Sequence, residues 1–314
     1  MKKTLTAAAL ATLMTTSAMA EEIGVSMALF DDNFLTVLRN GIQELADGMD
    51  GVDVQIEDAQ NDVARQLDQI NNFIASGVDA IIVNPVDTSA TQAMTQAAEA
   101  AGVPLVYVNR QPINVDTLPD NQAFVASNEI ESGTLETFEI CKILRSQGKG
   151  GGARAYLMMG ELSNQAAVQR TKDVDDILGI DMCNFIEIID RQTANWSREQ
   201  ATSLMTNWLS SGEEFDAVIA NNDEMAIGAI QAMKAAGLDM DVIVVGGVDA
   251  TQDALSAMQA GDLDVTVFQN AAGQGSGALD AALALARGED VDQKVYIPFE
   301  LVTPANIDDY LSAN

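Results

Sequence analysis

Short apolar runs and helical stripes of apolar residues alternate along almost the whole chain. Residues 23–29 form a mostly apolar run that is typical of a buried strand, and Phe34, Leu38 and Ile42 then recur at helical spacing. The same alternation continues to a final helix that we expect to end near Arg287. Repeated strand–helix units predict parallel sheets that carry helices on both faces.

The alternation is interrupted once. Residues 111–121 contain two prolines and two aspartates and no periodic apolar pattern, and the strand–helix repeat restarts after residue 128. The chain is also longer than one hydrophobic core usually spans. The sequence therefore predicts two α/β domains, each built around its own doubly wound parallel sheet.

One strand–turn–helix unit has an unusually polar turn. Residues 217–220 read as a buried strand, and a helix begins shortly after Asn222, Asp223 and Glu224. Asn222 or Asp223 suits the helix N-cap, and carboxylates favour the positive helix end. In open α/β sheets, ligands bind beyond the carboxyl ends of strands. We expect Asn222 to face a ligand while its two neighbours stabilise the helix; the alternative is that all three residues only cap.

Other polar and aromatic residues also follow predicted strands or begin the next helix. The set contains carboxylates, amides, arginines and aromatic rings, which suits a polyhydroxylated ring, because hydroxyls need donors and acceptors and C–H faces stack on aromatic side chains. Each residue also has a structural alternative, such as capping, core packing or a surface helix position. The candidate binding residues are Phe30, Asp32, Phe34, Asn109, Arg110, Arg170, Trp196, Asn222, Asp249 and Gln269.

Charge and composition exclude several functions. The formal charge of −31 argues against nucleic acid and anionic lipid as partners, since both need clustered Lys and Arg. The chain has no histidine, which excludes a Ser-His-Asp triad, a Cys-His dyad and a His-ligated metal site. We expect no cofactor and no metal. Cys141 and Cys183 either form a disulfide or remain two buried thiols, and their spacing leaves both possibilities open.

The first twenty residues have the pattern of a secretory signal peptide. Lys2 and Lys3 precede a short apolar segment, residues 5–13, and Ala18-Met19-Ala20 forms a small-x-small cleavage site. The apolar segment is too short to span a membrane. We expect residues 1–20 to be removed and the mature protein to be exported to the periplasm.

Three segments carry a family resemblance that covers the mature chain in order. Residues 108–111, 221–228 and 244–249 resemble the periplasmic sugar-binding proteins of ABC importers, above all the ribose-binding type. The resemblance implies two doubly wound parallel-sheet lobes joined by a three-strand hinge, the type I fold. The implied domains are an N-terminal lobe of residues 21–127 plus 270–299 and a C-terminal lobe of residues 128–269 plus 300–314.

Most candidate residues match ligand-binding positions of this family. The matching residues are Asp32, Phe34, Arg110, Arg170, Trp196, Asn222, Asp249 and Gln269. Two positions depart from the ribose-type pattern and argue against ribose itself: Asn109 stands where the pattern has Asp, and Leu35 stands where it has a second Phe. Residues 107–112, 193–198 and 204–209 resemble the inositol- and rhizopine-binding branch, which favours a cyclitol such as myo-inositol or an amino-methylated derivative.

These patterns predict a binding protein that captures a cyclitol or sugar by hinge closure and delivers it to the membrane permease of an ABC importer. A pentose, hexose or alditol is the alternative ligand. We expect a monomer that catalyses nothing, and a chemoreceptor is a compatible further partner. An enzyme that uses Asp32 and Asp249 as paired carboxylates is the alternative of another class. A transcription regulator shares the fold, but the signal peptide and the lack of N-terminal basic helices oppose it.

Overall fold

The computed structural model describes residues 20–313 of the 314-residue chain. The predicted signal peptide, residues 1–20, lies outside the described residues apart from Ala20. Within residues 20–313, no helix is long and apolar enough to cross a membrane.

The N-terminal lobe is built on a parallel sheet of six strands. Helices α1 and α9 pack on one face of this sheet and α2 and α3 on the other, so both faces are buried. The strands, in spatial order, are β11 (Lys294–Tyr296), β5 (Gln122–Ala126), β4 (Leu105–Val108), β3 (Ala80–Val83), β1 (Glu21–Met27) and β2 (Val52–Asp58). The helices are α1 (Asn33–Asp47), α2 (Val63–Ser76), α3 (Thr91–Ala101) and α9 (Ala271–Ala286).

The C-terminal lobe is built on a four-stranded parallel sheet. Helices α6, α7 and α8 cover one face and α4 and α5 the other. The strands, in spatial order, are β7 (Ile186–Thr193), β6 (Ala153–Met159), β8 (Ala217–Ala220) and β9 (Val244–Gly246). The helices are α4 (Glu129–Ser146), α5 (Gln165–Leu178), α6 (Arg198–Ser210), α7 (Asp223–Ala235) and α8 (Gln252–Gln259).

The chain passes between the two lobes three times. It crosses after β5 into α4, after β10 (Thr266–Phe268) into α9, and between β11 and β12 (Glu300–Val302). Strands β10 and β12 pair antiparallel, and a bridge between Asp249 and Phe268 joins them to the segment after β9. The predicted fold class, two doubly wound lobes joined by a three-strand hinge, is confirmed. The residue boundaries of the lobes stay a prediction.

Two strands differ in length from their sequence patterns. Residues 242–245 read as a strand, but β9 begins only at Val244, because Asp239 accepts a hydrogen bond from the Asp241 amide and fixes a 3₁₀ turn at Met240–Val242. The apolar pattern of residues 185–189 predicts a short strand, whereas β7 runs from Ile186 to Thr193, which pairs with Met159 of β6. The longer β7 brings the turn that follows it to the carboxyl edge of the sheet.

Cys141 of α4 and Cys183, in the turn before β7, form a disulfide, and both residues are fully buried. The bond closes a chain segment with a sequence separation of 42 residues, so it ties α4 to the connection between α5 and β7.

Replacing Cys141 and Cys183 together by alanine is expected to lower the free energy of unfolding by about 4 kcal/mol, because the unfolded chain gains the entropy of the opened loop. The melting temperature should fall by on the order of 10 °C, measured by differential scanning calorimetry. Alkylation of the denatured wild type should detect no free thiol. If the double variant has the same melting temperature as the wild type, the disulfide does not stabilise the fold.

Candidate functional site

A cavity lies between the two lobes, at the carboxyl ends of strands from both sheets. It contains about 380 Å³ of space free of protein atoms. Its lining residues are Asp32, Phe34, Leu35, Asn109, Arg110, Glu129, Asn164, Ala166, Arg170, Trp196, Asn222, Asp249 and Gln269. The structure thus brings together nine of the ten candidate residues predicted from the sequence. Phe30 is not among the lining residues; the guanidinium of Arg39 lies 4.1 Å from its ring centre.

Asp32 and Phe34 reach the cavity from the start of α1. Asp32 is the N-cap, and its Oδ1 accepts a hydrogen bond from the Leu35 amide at 2.8 Å. Burial raises the pKa of Asp32 above its usual value, although this hydrogen bond and the charge of Arg110 act in the opposite direction. The Phe34 amide also hydrogen-bonds to this carboxylate, which offers about four lone-pair sites and so keeps acceptor capacity for a ligand donor.

Arg110 follows β4 and is buried, with 7% of its surface exposed. Its Nη1 donates to the carbonyl oxygens of Pro85 at 2.9 Å and Val86 at 3.4 Å. Within the described residues its Nε and Nη2 donate no hydrogen bond to protein. Burial lowers the pKa of Arg110, and the carboxylates of Glu161 and Asp32 oppose that shift. Arg110 therefore offers several donors to a bound molecule.

Asn109 adopts the left-handed backbone angle of the turn after β4, and its side chain is hydrogen-bonded to other residues of the protein. Its φ of 66° is left-handed, a conformation that Asn tolerates better than most residues. Its Oδ1 accepts from Asn84 at 3.2 Å, and its Nδ2 donates to Oε1 of Gln274 at 3.2 Å. Both polar groups of the Asn109 side chain are therefore used within the N-terminal lobe.

Arg170 of α5 is buried, with 4% of its surface exposed, and is held by three acceptor groups. Glu129 accepts from Nε at 2.7 Å and from Nη2 at 3.1 Å. The Asn221 carbonyl accepts from Nη1 at 2.6 Å, and Gln269 Oε1 accepts from Nη2 at 3.1 Å. Burial lowers the pKa of Arg170, but the charge and hydrogen bonds of Glu129 outweigh it and hold the pKa above its usual value.

The hydrogen bonds of Arg170 leave little for a ligand. A guanidinium has five N–H donors, and protein acceptors take four of them. The remaining Nη1 donor faces Asp249, whose Oδ1 lies 3.8 Å from Nη1. Arg170 therefore builds one wall of the cavity, whereas Arg110 keeps its donors for the occupant.

Asp249 is held in a sparsely populated backbone conformation, with φ at 128°. Two backbone hydrogen bonds fix it: its amide donates to Val267 at 2.8 Å, and its carbonyl accepts from Gln269 at 3.3 Å. Burial raises the pKa of Asp249 well above its usual value, although the charge of Arg170 opposes the shift. The strained turn places a carboxylate at the cavity wall beside Arg170.

Trp196 forms an aromatic wall after β7. Asn195 and Trp196 both have left-handed backbone angles, with φ of 51° and 64°. The indole ring lies directly on Gly160: a Cβ atom at residue 160 would come within 2.2 Å of the ring. Glycine is therefore the only residue type at position 160 that allows the indole ring to lie where it does.

Asn222 lines the cavity and also caps α7, since its Oδ1 accepts from the Met225 amide at 3.1 Å. Asn222 is thus the N-cap, one of the two choices that the sequence predicts, and it still lines the cavity. Asp223 is fully buried and instead accepts from Thr266 Oγ1 at 2.7 Å and from the Thr251 amide at 2.9 Å. Burial raises the pKa of Asp223 to about 6. Glu224 pairs with Arg198 outside the cavity, at 2.8 Å.

The sequence analysis missed four lining residues, Leu35, Glu129, Asn164 and Ala166, as candidates. Glu129 and Asn164 are the informative ones, because both are buried and polar. Glu129 follows β5, and Asn164 is the N-cap of α5 after β6. Applying the strand-end rule to these two strands would have found both. Among the described residues, no cluster of acidic or cysteine side chains is arranged to hold a metal ion.

Comparison with known proteins identifies the family. A model of the periplasmic binding protein domain matches residues 23–290, which is most of the chain. The chain belongs to the periplasmic binding protein family. It is 64% identical to the "Putative rhizopine-binding protein" of Rhizobium meliloti, over the full length of both chains.

Solved structures agree with this assignment. An ABC transporter solute-binding protein from Bacillus halodurans with bound myo-inositol is 41% identical, with a TM-score of 0.87, and the match covers 96% of this chain and all of that one. The myo-inositol-binding protein of Caulobacter, bound to myo-inositol, is 28% identical with a TM-score of 0.82, covering 92% and 95% of the two chains. This periplasmic binding protein therefore shares its fold with relatives that bind small polyols.

Replacing Gly160 by alanine is expected to displace Trp196, because the added Cβ overlaps the indole ring. Affinity for a bound polyol should fall by about tenfold or more, measured by isothermal titration calorimetry, and the tryptophan emission should shift. Gly151→Ala is the matched control, since a Cβ there has no heavy atom within 4 Å. Equal affinities of the two variants would contradict the role of Trp196.

Substitutions at the two arginines are expected to change different properties: ligand affinity at Arg110 and folding stability at Arg170. Arg110→Lys keeps the charge but loses the planar donors, so polyol affinity should fall about tenfold while the ligand-free melting temperature changes by only about 3 °C or less. Arg170→Lys leaves buried Glu129 and Gln269 with unmet acceptors and should lower the free energy of unfolding by roughly 3 kcal/mol. Thermal melts of the ligand-free variants test this, and equal destabilisation would refute it.

Proposed function

We propose that this protein captures myo-inositol or an inositol derivative in the periplasm, by closure of the two lobes, and delivers it to the permease of an ABC importer. The free donors of Arg110 opposite the carboxylate of Asp249, in a cavity with an aromatic wall, are the observation that carries this proposal. The 41% identical relative with bound myo-inositol supports the choice of a cyclitol.

The chemistry of the lining matches a ring that carries a hydroxyl on every carbon. Arg110 donates hydrogen bonds to hydroxyl oxygens, and Asp32 and Asp249 accept from hydroxyl protons. Trp196 and Phe34 offer aromatic faces to the C–H faces of the ring. We assign ligand contact to Asp32, Phe34, Arg110, Trp196, Asn222, Asp249 and Gln269. Arg170 builds the wall between them and is positioned by Glu129, and Asn109 holds the turn beside Arg110 through Asn84 and Gln274.

The remaining properties follow from the same proposal. Residues 1–20 are a cleaved signal peptide, the protein acts as a monomer, and a chemoreceptor is a second partner of the closed form. Residues 21–127 plus 270–299 and residues 128–269 plus 300–314 are its two lobes. The protein catalyses no reaction, which is supported by its membership of a family of binding proteins.

A titration panel tests the ligand assignment. We expect myo-inositol or an inositol derivative to bind more tightly than ribose, galactose or xylitol by about tenfold or more, because only a cyclitol satisfies the donors and carboxylates around the whole ring. At a free concentration one hundred times Kd, the ligand should stabilise the folded protein by about 3 kcal/mol. Isothermal titration calorimetry and thermal shift give the two readouts.

The control and the failing outcomes are distinct. Arg110→Lys should bind the same ligand about tenfold more weakly, which ties the signal to this cavity. Tighter binding of a pentose, hexose or alditol would overturn the cyclitol assignment and keep the binding function. If the wild type hydrolyses a glycoside and both Asp32→Asn and Asp249→Asn abolish this activity, the protein is an enzyme and the proposed binding function is wrong.

A further inference from the structure

Three hydrogen bonds join Thr88 of the N-terminal lobe to the C-terminal lobe. Thr88 begins the 3₁₀ turn Thr88–Ala90 after β3 of the N-terminal lobe and is 7% exposed. Its amide and its Oγ1 both donate to the carbonyl of Ser163, at 3.1 and 3.0 Å, and the Gln165 amide donates to Oγ1 at 3.2 Å. Ser163 and Gln165 belong to the C-terminal lobe. Thr88 is not a lining residue of the ligand cavity.

The partner of Thr88 is the N-terminus of α5, where backbone amides have no partner inside the helix. The helix supplies its own N-cap, Asn164, whose Oδ1 accepts from the Ala166 amide at 3.2 Å. The Gln165 amide, one position earlier, instead donates to the Thr88 hydroxyl of the opposite lobe. The first amide of α5 thus donates to a hydroxyl on the other side of the cleft.

Thr88 is held firmly within its own lobe. Its carbonyl accepts from Thr91 Oγ1 at 2.8 Å and from the Ile113 amide at 3.1 Å, and Asp87 caps the turn through the Ser89 amide at 2.8 Å. The hydroxyl therefore reaches α5 from a fixed turn, and little side-chain entropy is lost when it bonds.

Two further hydrogen bonds that join the lobes within residues 20–313 are exposed. Asn33 donates to Glu224 at 2.7 Å, and Asn61 donates to Glu161 at 2.8 Å, both in contact with solvent. Exposed hydrogen bonds contribute little, because water replaces either partner easily. The Thr88 contact is part-buried, since Thr88 is buried while Ser163 is exposed, and it joins the lobes through three hydrogen bonds rather than one. Helix α5 also carries Arg170 of the cavity wall.

We propose that Thr88, Ser163 and Gln165 form an interlobe latch that stabilises the closed form without touching the ligand. The latch sets the rate of ligand release, because the lobes must break it before the cavity opens. This inference rests on the proposed function in that closure captures the ligand. A contact that favours the closed form raises apparent affinity in proportion to the closed population.

Thr88→Val tests the latch, because valine keeps the shape and the backbone hydrogen bond to Ser163 but removes both hydroxyl bonds. Dissociation of myo-inositol, followed by stopped-flow tryptophan fluorescence, should become about tenfold faster. Thr88→Ser should restore the wild-type rate to within about twofold, and Asn33→Ala should change it by less than about twofold. The ligand-free melting temperature should stay unchanged, since the hydroxyl bonds only the opposite lobe.

The outcomes separate failure of the latch from failure of the proposed function. If the wild type binds myo-inositol and Thr88→Val releases it at the wild-type rate, the latch is refuted. If the wild type binds no polyol, the proposed function fails, and small-angle scattering of the ligand-free proteins decides the latch instead. A lower population of the compact form in Thr88→Val then supports it, and identical scattering curves overturn it.

Discussion

The buried guanidinium of Arg170 is the constraint on which the C-terminal wall of the cavity depends. A cation removed from water is tolerated only when hydrogen-bond acceptors replace its hydration. Here the acceptors come from the start of α4 through Glu129, from the end of β8 through Asn221, and from the end of β10 through Gln269. Together with α5, which carries Arg170, four separate segments of the lobe therefore meet around one charge. Moving any of them leaves part of that charge unpaired, so the wall is rigid before a ligand arrives.

The opposite wall is built on a different principle. Arg110 is as buried as Arg170, yet two backbone carbonyls of one loop hold only its Nη1. Its other donors remain free to meet hydroxyl oxygens. The two arginines look equivalent in the sequence, but one fixes the protein and the other recognises the ligand. Such asymmetry suits a protein that must close: the rigid wall presents a finished surface, and the donors on the other wall gain partners only when both lobes and the ligand come together.

The sequence predicted the fold and most of the cavity because both follow from local patterns. Strand–helix alternation identifies the carboxyl ends of strands, and nine of ten candidates at those ends line one cavity. The patterns fail where a role depends on a distant partner. Glu129 acquires its role from Arg170, 41 residues away, and Asn109 from Gln274, 165 residues away. Phe30 follows a strand like the other candidates, but its ring stacks with Arg39 of the adjoining helix. Spacing alone likewise left the pairing of Cys141 open.

Capping and ligand binding were posed as alternatives for the polar residues at strand ends, and the structure shows that they are compatible. A carboxylate has two oxygens, and an amide has one acceptor and one donor group. Asp32 accepts from the Leu35 amide and keeps further lone pairs, and Asn222 gives Oδ1 to the Met225 amide while its Nδ2 makes a 3.5 Å contact with the Trp196 carbonyl. Three of the helix N-caps, Asp32, Asn164 and Asn222, line the cavity. Selection for a stable helix start and selection for a ligand contact therefore act on the same residues, and a substitution at either cap changes folding and binding together.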